Sequence, residues 1–164
     1  VQVLLQSRLH RSLLKSMRRL APTITFDQHF EQVITACGDS RAEGTWITAE
    51  MRDAYIALHQ IGRAHSVDLC VDGELVAGLY GIAMWPYFFG ESMFTTVTDG
   101  SKMAMHALVQ RLRVHGYVLI DCQQTSTHLS LLGATTLPRD KFATMLNKIK
   151  IDQDAEMWND CQAD

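Results

Sequence analysis

The chain has 164 residues, 47% of them hydrophobic and 20% charged, with a formal net charge of −3 at pH 7. This length predicts one soluble globular domain with a sizeable core, and no apolar run approaches the roughly 20 residues that a membrane-spanning helix needs. Four scattered cysteines without a CxxC pair and seven histidines without an HExxH motif suggest neither a disulfide framework nor a zinc site. We therefore expect a cytoplasmic protein with reduced thiols and no bound metal.

The amino-terminal segment is strongly basic. Residues 1–26 carry five bases and no acid, which leaves 10 bases, 18 acids and a charge of −8 on the other 138 residues. Bases and apolar residues each recur at steps of three and four, which predicts a helix that docks by one side and presents charge from the other. The bases are Arg8, Arg11, Lys15 and Arg18, and the apolar residues are Leu9, Leu13, Met17 and Leu20. The stripe alone favours a solvated surface helix, and the alternative is a contact with phosphate groups.

Short strands and helices are predicted in the first half of the chain. A strand at 23–26 follows Pro22, and Asp27 is a candidate cap for a helix over about 28–37. Thr48 is a candidate N-cap for the next helix, whose apolar stripe comprises Met51, Tyr55, Leu58 and Ile61. Asp72-Gly73 predicts a hairpin between strands at 64–71 and 75–84, and a third strand is predicted at 86–94.

The second half predicts a crossover back to the sheet. An amphipathic helix over 100–114 has Ala104, Met105, Leu108, Val109 and Leu112 on its apolar side, and a strand is predicted at 117–122. A short helix stopped by Gly133 and a last helix beginning at Pro138 follow. A strand, helix and strand in this order predict a parallel, right-handed crossover. We therefore expect an α+β protein with a mixed sheet.

The predicted strand at 117–122 ends in an acid, a thiol and an amide. Strand alternation predicts that Asp121 and Gln123 point to one side, and that Cys122 turns back toward the core as a small apolar filler. On the residues alone, the acid and the amide are favoured as a helix-capping or loop-tying pair. A nucleophilic Cys122 would require an activating base such as His128, and a buried thiol is the favoured interpretation.

Seven short blocks in order carry a family resemblance. They are EGTWIT (43–48), AYIALHQIGRAHSVDL (54–69), GLYG (78–81), GESMF (90–94), SK (101–102), LIDCQ (119–123) and HLSLLGA (128–134). Together they resemble the leucyl/phenylalanyl-tRNA–protein transferase family, over about residues 9–149. The resemblance implies an N-acetyltransferase-like (GNAT/Fem-like) acyltransferase fold, with a mixed, mostly antiparallel sheet flanked by helices. It also implies transfer of Leu, Phe or Met from aminoacyl-tRNA to the N-terminal Arg or Lys of proteins destined for degradation, with no cofactor.

The resemblance assigns roles to individual residues. It implies that Asp121 takes or relays the proton of the acceptor amine, that Gln123 orients the reacting groups, and that Glu91 pairs with the cationic side chain of the acceptor. The donor site it implies consists of Trp46, Phe88, Leu79, Leu108 and Leu112. The tRNA contacts it implies are Arg11, Lys15, Arg18 and Arg19.

The resemblance also implies a division of the chain and leaves two alternatives. Residues 1–20 are expected to be a basic arm left from an inter-domain segment, 21–150 the acyltransferase-like domain and 151–164 a tail, with the family's N-terminal domain absent. An acyl-CoA-dependent N-acyltransferase is disfavoured because TTVTDGSKMAMH lacks a glycine-rich pyrophosphate loop. A non-catalytic relative that binds tRNA or basic N-termini is disfavoured by the presence of Glu91, Asp121 and Gln123 together.

Overall fold

The computed structural model describes residues 2–4, 11–40, 46–123, 127–150 and 158. Of the predicted arm over 1–20, the structure describes residues 2–4 and 11–20, and of the predicted tail over 151–164 it describes Trp158. In chain order the elements are β1 (Gln2–Leu4), α1 (Arg11–Leu20), β2 (Thr23–Phe26), α2 (Phe30–Asp39), α3 (Ala49–Gln60), β3 (Ala64–Val71), β4 (Glu74–Met84), β5 (Tyr87–Thr95), α4 (Gly100–Val114), β6 (Leu119–Asp121), α5 (Thr127–Leu131), β7 (Thr135–Thr136) and α6 (Arg139–Leu146).

The strands form one sheet in the order β2-β3-β4-β5-β6-β1-β7. Neighbouring strands are antiparallel except β5 and β6, which are parallel and joined through α4. The predicted α+β class, the three-strand meander and the parallel crossover are therefore confirmed. The sequence pattern did not predict β1 and β7, which are three and two residues long.

Local turn and cap signals are confirmed at two places and wrong at a third. The Thr48 hydroxyl accepts a hydrogen bond from the Met51 N–H at 3.3 Å, and Asp72 and Gly73 have the positive φ angles of a tight hairpin. Asp27 does not cap α2, because its own φ of 61° aims its carboxylate at β3, where it accepts the Ser66 N–H at 2.7 Å. The N–H groups of Gln28 and His29 instead bind Asp68, a buried carboxylate of β3.

Helices cover both faces of the sheet. The predicted apolar side of α4 is buried in the largest apolar cluster, which includes Leu79 of β4. On the opposite face, α2 and α3 pack on Tyr80 and Phe94. The predicted stripe of α3 is wrong at Ile61, which is 70% exposed where the helix ends. None of the helices in the described ranges has the length and apolar character needed to cross a membrane.

Candidate functional site

The parallel strands β5 and β6 part in the middle of the sheet. They pair from Tyr87 with Leu119 to Phe89 with Asp121, where β6 ends, while β5 continues to Thr95. Within the described ranges, no strand pairs with β5 on that side beyond Phe89. The result is an opening between the two strands, here called the strand gap, with Gly90 and Glu91 on one side and residues 121–123 on the other.

Asp121 lies at the base of the strand gap. It is 7% exposed, and burial raises the pKa of its carboxyl, an effect opposed by a hydrogen bond that Oδ1 accepts from the Gln123 N–H at 2.7 Å. This hydrogen bond turns the chain, and Gln123 has a φ of 57° and an exposed side chain. The predicted strand alternation through Gln123 is therefore wrong. Cys122 packs against the apolar cluster on the α4 side, as predicted.

Glu91 lies at a β-bulge in β5. Tyr80 pairs with Ser92 and Gly81 with Gly90, so that Glu91 is the extra residue between the two pairs. Bulges bend a strand and re-aim a side chain, and the half-buried Glu91 carboxylate accepts a hydrogen bond from the Tyr55 hydroxyl of α3. Burial and the Glu91 charge raise the pKa of Tyr55. The sequence pattern assigned Tyr55 only to an apolar stripe, and no local signal marked its partner.

The two carboxylates lie on the same face of the sheet. Asp121 is the register partner of Phe89, and paired residues on neighbouring strands project to one side. Ile120, one residue earlier, packs on the α4 side, so Asp121 faces the opposite side. Glu91 contacts Tyr55 of α3, which packs on that same opposite side. Asp121 and Glu91 therefore flank the strand gap on the face away from α4.

Four of the five expected donor-site residues lie together on the α4 face. Leu79, Phe88, Leu108 and Leu112 belong to one apolar cluster, and each is at most 2% exposed. These four buried side chains, which the resemblance assigns to the donor site, are together called the donor pocket below. Trp46, the fifth, is 38% exposed and precedes α3, outside this cluster as the structure describes it.

The expected tRNA contacts occupy the exposed side of α1. Arg11, Lys15, Arg18 and Arg19 are all exposed. The other side of the helix packs through Leu13, Met17 and Leu20 against Leu69, Ala77 and Met103, and Met103 belongs to α4.

Polar contacts also hold α1 to α4. Asp99, just before α4, binds Lys102 at 2.6 Å and accepts the Ser16 hydroxyl of α1 at 2.8 Å. Both contacts lower the pKa of Asp99. The basic side of α1 is thus held in a defined orientation beside α4.

One side-chain group has the donor atoms for a metal. The ligating atoms of Asp27, His59 and His65 lie within 4.8 Å of one another. Protein groups already engage them, because His59 Nδ1 lies 2.8 Å from the Ala64 carbonyl oxygen and His65 Nδ1 lies 2.7 Å from Asp27. We therefore treat the group as a hydrogen-bonded part of the fold and assign it no ligand. Among the described residues, Cys37, Cys70 and Cys122 are not in disulfides.

The fold and the site define an α+β protein with a mixed sheet, a strand gap flanked by two carboxylates, and a buried apolar cluster on the opposite face. Residues 2–147 match the model of the leucyl/phenylalanyl-tRNA protein transferase family, and the chain belongs to this family.

Three curated relatives, each called leucyl/phenylalanyl-tRNA–protein transferase, illustrate the match. The protein of Stutzerimonas stutzeri is 51% identical over 148 residues, which cover 88% of this chain and 66% of the relative. The protein of Methylococcus capsulatus is 47% identical over 160 residues, which cover 96% of this chain and 68% of the relative. The protein of Pseudomonas fluorescens (strain Pf0-1) is 53% identical over 148 residues, which cover 88% of this chain and 66% of the relative. The chain thus spans about two thirds of the length of these relatives.

Among solved structures, the aminoglycoside N-acetyltransferase AAC(6′)-Iy aligns with 80% of this chain and 93% of its own length. The sequence identity is 14% and the TM-score is 0.49. A second structure of this acetyltransferase, in complex with CoA, gives a TM-score of 0.48. These values support no conclusion about the activity of this chain.

Proposed function

We propose that the chain transfers Leu, Phe or Met from aminoacyl-tRNA to the N-terminal Arg or Lys of an acceptor protein. The observation that carries this proposal is the placement of two binding surfaces on opposite faces of the sheet, joined by the strand gap. The donor pocket and the basic side of α1 share the α4 face, and Glu91 and Asp121 flank the gap on the other. We place this reaction in the cytoplasm, with no metal or cofactor.

The reaction is aminolysis of an activated ester. The acceptor α-amine attacks the carbonyl that joins the amino acid to the tRNA 3′-terminal ribose. An amide bond forms, the ester C–O bond breaks, and the ribose hydroxyl leaves with a proton. An α-amine with a pKa of about 8 is mostly protonated at pH 7, so a group that accepts its proton assists the attack. Asp121, whose pKa burial raises, has this role, and Gln123 at the mouth of the gap orients the amine and the carbonyl.

Glu91 selects the acceptor. A carboxylate accepts a two-pronged contact from the guanidinium of Arg or a single point charge from Lys, which matches both acceptor classes. The Tyr55 hydroxyl donates to Glu91 and so supports its orientation. The β-bulge directs the Glu91 side chain to the same face of the sheet as Asp121.

The α4 face receives the donor. The apolar surroundings of Leu79, Phe88, Leu108 and Leu112 suit the side chains of Leu, Phe and Met. The exposed Trp46 ring offers a stacking surface for the terminal adenine. The basic residues of α1 contact the phosphates of the acceptor stem; these are Arg11, Lys15, Arg18 and Arg19.

The test is a transfer assay with radiolabelled Leu-tRNA and a peptide that begins with Arg. We expect label on this peptide, none on a peptide that begins with Asp, and loss of transfer in Asp121→Ala. Glu91→Gln should reduce transfer at least about tenfold, because the charged contact with the acceptor is lost, and should leave tRNA binding unchanged. Glu74→Gln, which alters an exposed acid at the start of β4, is the matched control.

Three outcomes would contradict the proposal. Retained tRNA binding without any transfer would favour the non-catalytic relative. Acetylation of the same peptide with acetyl-CoA, in place of leucylation, would favour an acyl-CoA-dependent enzyme. Equal losses of tRNA binding and transfer in Glu91→Gln would remove Glu91 from the acceptor site.

A further inference from the structure

An aromatic side chain from near the end of the chain is buried in the apolar cluster that forms the donor pocket. Trp158 is 4% exposed and belongs to the same cluster as Leu79, Phe88, Leu108 and Leu112. Its ring centroid lies 5.9 Å from that of Phe88, in a tilted arrangement. The indole therefore contacts the donor pocket directly.

The rest of the indole is held by ring contacts. It stacks on His65 with centroids 4.0 Å apart and planes 10° apart, and it meets the edge of Phe26 at 6.2 Å. His65 is itself fixed, because its two ring nitrogens lie 2.7 Å from Asp27 Oδ2 and 3.2 Å from the Gly62 carbonyl oxygen. His65 and Phe88 thus form a fixed aromatic surface that the indole covers.

The indole N–H is buried without a hydrogen-bond partner among the described residues. A buried donor that has lost its water and gained no acceptor weakens the state that buries it. If the ring moves out, the N–H recovers a hydrogen bond to water. Trp158 itself lies in a turn and belongs neither to a helix nor to a strand.

The pocket residues leave no open surface for a second apolar side chain. Leu79, Phe88, Leu108 and Leu112 are between 0% and 2% exposed, so a donor side chain can contact them only if a neighbour moves. These four residues are anchored in β4, β5 and α4. Trp158 is the aromatic neighbour of Phe88 that lies outside these elements.

We propose that the Trp158 indole occupies the place of the donor's side chain and that donor binding displaces it. This inference rests on the proposed function, because it concerns the same pocket. Tryptophan has the largest of the side chains involved, so the space that it vacates accommodates Leu, Met or Phe. The surface of His65 and Phe88 then receives the donor side chain in place of the indole.

The experiment uses fluorine NMR on the full chain labelled with fluorotryptophan. The chain has three tryptophans, and single Trp→Phe variants assign their resonances. The ligand is an adenosine whose ribose carries phenylalanine through a stable amide in place of the ester. On binding, the Trp158 resonance should shift and become accessible to a soluble paramagnetic quencher, while Trp85 should keep its accessibility.

Affinity measurements on Trp158→Ala and Trp158→Ser, whose side chains are too small to fill the space of the indole, give an independent readout. If the emptied pocket is populated about one tenth of the time, removing the competing indole strengthens binding of the same ligand about tenfold. A purely structural tryptophan predicts the opposite, namely weaker binding together with lower stability. Phe142→Leu, which alters an apolar cluster that does not include Trp158, is the control and should leave binding unchanged.

The outcomes separate this inference from the proposed function. Ligand binding with an inaccessible Trp158, or weaker binding by both Trp158 variants, would refute displacement and leave the transferase proposal standing. Failure of the wild-type chain to bind the ligand in calorimetry would refute the donor pocket itself, and displacement with it.

Discussion

Gly81 and Gly90 are register partners in β4 and β5, and they provide a matched pair of substitutions. A Cβ built on Gly81 would lie 2.2 Å from the Phe89 carbonyl oxygen and 2.5 Å from Phe88 Cε1. A Cβ built on Gly90 would lie 3.5 Å from its nearest neighbour, the Asp121 carbonyl oxygen, which is an ordinary contact. Gly81→Ala therefore forces backbone and ring apart by about 1 Å, whereas Gly90→Ala requires no movement.

The cost of Gly81→Ala follows from this geometry. Overpacking a core costs about 1–3 kcal/mol, and we expect about 3 kcal/mol here because the first obstructing atom is backbone. For 164 residues, an unfolding entropy of about 2.1 cal/mol/K per residue gives about 0.34 kcal/mol/K, so that Tm falls by about 9 °C. We expect Gly90→Ala to change Tm by less than about 2 °C.

Thermal unfolding followed by circular dichroism measures both variants beside the wild type. Transfer activity of Gly81→Ala below its melting point should also fall, because the ring that shifts is Phe88 of the donor pocket. If the two variants melted within about 2 °C of each other, the close approach of β4 to Phe88 and Phe89 would be refuted.

Three further predictions concern charge. Asp68 accepts four hydrogen bonds. The free energy of unfolding measured in urea should therefore fall by about 3 kcal/mol in Asp68→Ala and by about 1 kcal/mol in Asp68→Asn, which keeps one amide oxygen as an acceptor. Burial raises the pKa of Asp68, so the stability that this shift contributes is fully present below the unfolded-state pKa and is lost as pH rises through the folded-state pKa. The free energy of unfolding of Asp68→Asn, measured over the same pH series, should not show this decrease. Burial also raises the pKa of Asp121, so the acidic limb of the pH–rate profile for transfer should lie at higher pH than an ordinary aspartate would give. If Asp121→Asn kept the same acidic limb, Asp121 would not be the group that accepts the proton. The double variant Arg11→Glu with Lys15→Glu should weaken tRNA binding and reduce the magnitude of the slope of log affinity against log salt concentration by about two. The control Lys148→Glu should change neither quantity. An unchanged slope in the double variant would mean that α1 is a solvated helix without phosphate contacts.

Local signals predicted much of the fold. The Asp72-Gly73 turn, the Thr48 cap and the apolar side of α4 each depend on residues within a few positions of one another, and all three are confirmed. The parallel crossover followed from the handedness and order of successive elements. β1 and β7 escaped prediction because two or three residues show no periodicity, and their pairing depends on partners far along the chain.

The site was only partly predictable. Strand alternation failed at Gln123 because the Asp121 carboxylate accepts its N–H and ends the strand. Asp27 failed as a cap because its left-handed backbone turns the carboxylate toward β3. In both cases a side chain hydrogen-bonds the main chain, and such competition is not visible in a hydrophobic pattern.

By itself, the sequence determined the order of the main elements, the buried side of α4 and the family to which the ordered blocks belong. Only the tertiary structure decided that Asp121 and Glu91 share one face, that Tyr55 binds Glu91, and that Trp158 packs in one apolar cluster with Leu79 and Phe88. The physical reason is that periodicity records which side of its own element a residue occupies. Which other element packs on that side depends on contacts between segments that are distant in the chain.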